Sequence, residues 1–379
     1  MKFHFIKTFT LLLLFHPFVL FSYVNSDSIY FDFEMAEQSL DLLQLAKTDV
    51  TSDSLKDYFN KYIAPTKGFK CLIKHFSRIN KWDSDKFYDH LLNSIKNQFG
   101  QESLYDDSGE LNFSVRSKIL WREAFNNIDS LRSIITYLKS LDLRTPTYNK
   151  AKKYLPENSS INIKFYFVLS GGSPAFSIGK ENGIDILQLP QLSNGELNLQ
   201  RLLDNISHEN HHSGLFSYLS DHSPSLLEDS RFILLGTLMA EGIPTYYINN
   251  QPEKLNEVYQ TNDPLDKQVF ADWNKHLSNI DELYRIAELD ILKSIEVMLT
   301  EKELYERWLS GAQGAAYILG TDMFYIIDKC FGKVAAIEII QDVRKFLYYY
   351  NEAAIRLNET NRFLFNAELV EKIMNINFN

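Results

Sequence analysis

The sequence predicts an α+β protein that is mostly α, and three observations lead there. Apolar residues recur at helical spacing through the N-terminal third. One short stretch, Ile161 to Leu189, has the texture of strands. From Asn198 the chain is helical almost to its end. The expected architecture is a helical N-terminal region, a small antiparallel sheet and a helical C-terminal core.

Taken in order, Phe33 to Ala46 places Met35, Leu40, Leu43 and Leu45 on a helix. Asp53 and Ser54 cap a second helix through Tyr62, which Pro65 and Gly68 end. Amphipathic segments follow at Asp85 to Phe99 and Ser114 to Leu143, with Asp106, Asp107, Ser108 and Gly109 as the loop between them. INIKFYFVLS, from Ile161, reads as a strand. PAFSIG, KENG and IDILQL read as an antiparallel hairpin with Asn182-Gly183 as its two-residue turn. Helices are then expected at Asn198 to Leu215, Ser223 or Ser225 to Tyr247, Asp263 to Leu299, Lys302 to Leu309, Ala312 to Lys329 and Val334 to Leu357, with a turn at Gly332. Composition marks no sharp domain boundary. A soft one near Asn158 separates residues 27–158 from 159–379.

The 379 residues suffice for a large core, and 45% hydrophobic against 23% charged residues fits a globular chain. With 27 Phe and 21 Tyr, core and clefts should be ring-rich. A net charge of −10 argues against nucleic acid or anionic lipid as the main partner. At the N-terminus, Lys2 and Lys7 flank an apolar run from Phe9 to Val24, closed by Ser22 and Ser26. That is the layout of a signal peptide, residues 1–26, and it predicts a secreted or periplasmic protein with no stable membrane insertion after cleavage. The competing reading, an uncleaved anchor, is disfavoured by a run that is short for a span and contains His16 and Pro17. Cys71 and Cys330 are equally compatible with a disulfide and with two separate thiols.

The segment that carries chemistry is Asp204 to His212, which contains H-E-x-x-H as His208, Glu209 and His212. Residues four apart share one face of a helix, so the two imidazoles can take two corners of a zinc tetrahedron. Glu209 follows the first ligand and suits a general base. A hydrolytic zinc site needs a third protein ligand, and Glu241 is the candidate. It follows a nearly all-apolar stretch, Phe232 to Met239, and a carboxylate on a buried helix is costly unless it is paired or metal-bound. The bland alternative is a buried Glu bonded to an Arg or to backbone. Glu228 and Asp229 are rivals, but near a helix start a capping role fits them better. An oxyanion donor could be Tyr317, Tyr246, Tyr247 or His211. Tyr317 is preferred because Gly311, Gly314, Ala315, Ala316 and Gly320 surround it with small residues. His211 points off the ligand face by helix geometry. Phe346 to Tyr350 reads as a packed helix face.

With its export signal, its strand pair, HENHH and the following A-E-G-I-P, the chain resembles a gluzincin metallopeptidase. With the later GAAYILGTDMFYIIDKCFG, it is similar to an uncharacterised bacterial family of zinc-dependent peptidases. The resemblance implies a zincin-like core, Zn2+ and hydrolysis of a peptide or protein substrate. Another zinc hydrolase, or an inactive secreted binding protein on the same fold, are the alternatives. The gap from His212 to Glu241 is longer than in familiar gluzincins, and a loop from Ser213 to Pro224 would absorb it.

Overall fold

The computed structural model describes residues 27–79, 81–96, 103–105, 111–192, 194–251, 263–359 and 361–377. The expected signal peptide and the loop Asp106 to Gly109 lie outside them. The fold is α+β and mostly α, with one small sheet. The chain divides into two compact units and passes between them more than once. One comprises Ile29–Arg144 and Ile163–Asn198; the other comprises Thr145–Asn162 and Leu199–Asn379, with Asp27 and Ser28.

The first unit is built from helices α1 (Glu34–Leu45), α2 (Ser52–Tyr58), α3 (Lys67–Ile79), α4 (Ser84–Lys96), α5 (Phe113–Asn126) and α6 (Ile128–Ser140) around a sheet. The strands are β1 (Ser28–Asp32), β2 (Asn162–Val168), β3 (Ala175–Ile178) and β4 (Glu181–Asp185), in the order β1-β2-β4-β3. Ring stacking ties β1 to its neighbour: Phe31 lies 5.3 Å from Phe165 and Phe33 lies 4.2 Å from Phe167. Strand β1 was not expected from the sequence. Helix α3 presses on the sheet at Gly68, where an added Cβ would stand 3.0 Å from Met35 Cβ and 3.4 Å from Tyr166 Cβ.

Two details of the expected sheet are corrected. It is mixed rather than antiparallel, since β2 pairs with β4 in parallel. The chain leaving β2 is fastened to the end of β4: the buried Asp185 carboxylate accepts from Ser170 N, Ser170 Oγ and Gly171 N at 3.1, 2.8 and 2.7 Å. Strand β3 is thereby left at the outer edge. The hairpin turn is Gly179-Lys180, not Asn182-Gly183. Ile178 pairs with Glu181, and Gly179 has φ 61°, as the first central residue of a II′ turn requires. Gly183 lies inside β4, where an added Cβ would meet the Phe176 ring at 2.0 Å.

The second unit contains α7 (Arg144–Lys152), α8 (Leu199–His222), α9 (Pro224–Glu228), α10 (Ile233–Tyr247), α11 (Pro264–Ser278), α12 (Ile280–Ile295), α13 (Glu301–Leu304), α14 (Ala315–Phe331), α15 (Lys333–Gln341), α16 (Lys345–Arg356) and α17 (Ala367–Met374). Helix α8 outruns its expected end at Leu215 and continues to His222. The supposed loop from Ser213 to Pro224 is therefore mostly helix. The expected helix from Ser223 or Ser225 is interrupted before Ile233, because the Asp229 carboxylate turns back to accept from Arg231 N at 3.0 Å.

Helix α10 is buried on nearly all sides, from Leu234 to Thr245. It crosses α14 at contact distance through two glycines. A Cβ on Gly242 would stand 2.6 Å from the Gly320 carbonyl carbon, and one on Gly320 would stand 2.4 Å from Leu238 O. This crossing matters to the site, since Glu241 adjoins Gly242 and Tyr317 lies one turn before Gly320. One turn further along, α14 stacks Phe324 on Phe346 at 4.8 Å. Phe346, Leu347 and Tyr350 are buried, as a packed helix face requires. Cys71 and Cys330 are both free thiols, and burial pushes Cys71 up to about 12.

Candidate metal centre

Helix α8 sets His208 and His212 one turn apart on one face, their ring centroids 4.7 Å apart. Helix α10 brings Glu241 to meet them. Its Oε2 lies 3.5 Å from His208 Nε2 and 3.6 Å from His212 Nε2. One ligand atom from each residue falls within 4.8 Å of the others. The residues that sequence spacing put forward as metal ligands are thus brought together.

These separations suit a shared ion better than direct bonding. They are too long for strong hydrogen bonds. Metal–ligand distances of about 2.0–2.2 Å at tetrahedral angles place ligand atoms about 3.4 Å apart, close to what is observed. Among the described residues, Glu241 Oε2 and His212 Nε2 are buried without a hydrogen-bond partner. Leaving such groups unmatched costs several kcal/mol, and a cation between them removes that cost. Two imidazoles and one carboxylate are also the donor set of a catalytic zinc site that keeps a position open. The residues present therefore fit zinc.

The electrostatics point the same way. Burial alone would raise the Glu241 carboxyl; the His212 and His208 imidazoles outweigh it and hold the carboxyl down at about 2. Burial disfavours a charged His208, but the facing carboxylate outweighs it and raises that imidazole above its ordinary value. Glu241 is held in its ionised form, and the basic side chains facing it are these two imidazoles rather than an arginine.

The rival carboxylates are elsewhere. Asp229 forks onto Arg231 and is held below the usual carboxylate range by it, and Glu228 is exposed. Glu209 follows His208 on α8 and is partly exposed. The oxyanion candidates also separate. The Tyr246 and Tyr247 hydroxyls donate to Asp328 at 3.0 Å each. His211 is fully buried and donates from Nε2 to Tyr154 O at 3.2 Å. Burial and its two histidine neighbours push it well below its ordinary value, so it is neutral. Tyr317, in the first turn of α14, lies over His208 with ring centroids 6.4 Å apart. Among the four candidates its ring is the one stacked on a triad imidazole with a partly exposed setting.

One residue of the site escaped the sequence reading. Asn249, just beyond the end of α10, places Oδ1 2.7 Å from His208 Nδ1. Its only signal in the sequence, Asn249-Asn250 after an apolar helix, reads as a helix stop.

The fold and the triad define a helical protein with an H-E-x-x-H…E metal-site geometry. The chain belongs to the family described as "Putative zinc dependent peptidase (DUF5700)", whose model matches residues 50–359. Neither the curated proteins nor the solved structures contain a match.

Proposed function

We propose that the chain is a zinc peptidase in which His208, His212 and Glu241 hold the metal and Glu209 is the general base. The observation that carries this reading is the Glu241 carboxylate, buried on α10 and facing both H-E-x-x-H imidazoles at 3.5 and 3.6 Å. Zinc held there would supply Lewis acidity, polarising the scissile carbonyl and easing the ionisation of water. Glu209, one residue along from His208 and open to solvent, takes the proton of the attacking water and delivers it to the departing amine. Tyr317 donates its hydroxyl hydrogen to the developing oxyanion. The family description supports zinc and peptide; the assignment of roles to Glu209 and Tyr317 is our own. The Glu209→Gln variant tests the mechanism. It should retain zinc at wild-type stoichiometry and lose about 10²–10⁴-fold in peptide hydrolysis. Undiminished hydrolysis would exclude Glu209 as the base.

We further propose that the enzyme works outside the cytoplasm, as a secreted or periplasmic protein that meets peptide rather than nucleic acid. The Lys2 to Ser26 segment and the net charge of −10 motivate this. N-terminal sequencing of protein recovered from its native host should begin at Asp27. A chain that retains residues 1–26 would contradict the proposal.

A further inference from the structure

The two imidazoles of the triad are not held alike. Among the described residues, neither ring nitrogen of His212 has a hydrogen-bond partner, whereas His208 Nδ1 is 2.7 Å from Asn249 Oδ1. An amide oxygen only accepts, so Nδ1 of His208 carries the proton and donates it. With Nδ1 as the donor to Asn249, Nε2, 3.5 Å from the Glu241 carboxylate, is the nitrogen left for an ion. Asn249 Nδ2 also lies 3.5 Å from Asn205 Oδ1, one turn before His208 on α8, a weak contact. With the amide reversed, an N–H would face Nδ1. The ring proton would then have to sit on Nε2, where it would block a metal.

The end of α10 explains how Asn249 reaches this place. Pro244 has no N–H to continue the helical ladder. Its carbonyl accepts from both Ile248 N and Asn249 N, at 2.9 and 3.0 Å, which widens the last turn. Asn250 then takes a left-handed conformation, φ 54°, and stops the helix. One element thus delivers Glu241 to the Nε2 side of His208 and, two turns later, Asn249 to its Nδ1 side.

We propose that Asn249 is the positioning residue of the metal centre, fixing His208 in the tautomer and ring orientation that present Nε2 to the ion. This rests on the zinc reading above and deepens it. The test uses two isosteric variants of the full-length protein, Asn249→Leu, which removes the acceptor, and Asn249→Asp, which keeps it. Zinc affinity is measured by competition with a chromophoric chelator, and the Co2+-substituted proteins are compared by their visible spectra. Asn249→Leu should bind zinc about 10–100-fold more weakly and show shifted cobalt bands. Asn249→Asp should stay within a few-fold of wild type. Equal affinity in Asn249→Leu, or an equal loss in both variants, would overturn the proposal. Should Asn249→Leu not fold, ¹⁵N NMR of the zinc-loaded wild type decides: a protonated Nδ1 on His208 is expected, and zinc on Nδ1 would overturn it. Wild-type protein that binds no zinc would instead refute the peptidase reading itself, so the two failures are distinguishable.

Discussion

Two pairs of histidines, one in each unit, are held in opposite ways. In the first unit, His75 Nε2 meets the Ser173 hydroxyl at 3.1 Å and its ring stacks on Phe176 at 4.5 Å. His90 Nε2 meets the Ser117 hydroxyl at 2.9 Å, with Trp82 against its ring at 4.9 Å. Burial, helped by Arg78 and Lys118, lowers both to about 4. These are neutral, satisfied, structural imidazoles. In the second unit, His208 and His212 face a buried carboxylate, and His208 is raised rather than lowered. Burial of a histidine therefore says little about function. What marks a site here is the carboxylate aimed between two rings at a separation too long for bonding and right for a shared ion.

The comparison can be broken most sharply at Glu241. Glu241→Gln should weaken zinc binding by more than the 10–100-fold typical of an outer partner, measured by chelator competition, while the first-unit histidines are untouched. Retained zinc affinity would mean the second pair is as structural as the first. At Tyr317 the effect falls on kcat and not on the metal. Tyr317→Phe should keep the zinc and lower kcat about 10²–10³-fold, the range for loss of one oxyanion donor. An unchanged kcat would leave the ring as packing over His208.

The first pair shows itself with pH. Unfolded histidines take protons near 6.5 but folded His75 and His90 only near 4, so the unfolded state binds more protons in between. Stability is therefore full above about pH 6.5 and is lost as pH falls toward 4, on the order of 3 kcal/mol for each imidazole. Denaturant unfolding followed across that window should show the loss, and His75→Gln should shallow it. Stability that stays flat from pH 6.5 to 4 would contradict the description of that unit.

Much of the site was legible because its chemistry is local. His208, Glu209 and His212 lie within one turn and a half of α8, and Glu241 stood out as a single charge after eight mostly apolar residues. What the sequence did not yield is set by longer-range geometry. Gly179 and Gly183 are both plausible turn residues; pairing of Ile178 with Glu181, and the Phe176 ring over Gly183, decide between them. The parallel pairing of β2 with β4, with Asp185 reaching back to Ser170 and Gly171, is a long-range arrangement that no periodicity encodes. The interleaving of the two units is equally silent in composition. Asn249 was missed because its role arises from a carbonyl at Pro244 and a ring on another helix, 41 positions earlier in the chain.

The central claim is that one zinc ion sits between α8 and α10. The most direct measurement is an anomalous difference map at the zinc absorption edge from crystals of zinc-loaded protein. The account predicts one strong peak within about 2.0–2.2 Å of His208 Nε2, His212 Nε2 and a Glu241 carboxylate oxygen. No peak at that position, or the principal zinc peak on other residues, would contradict it.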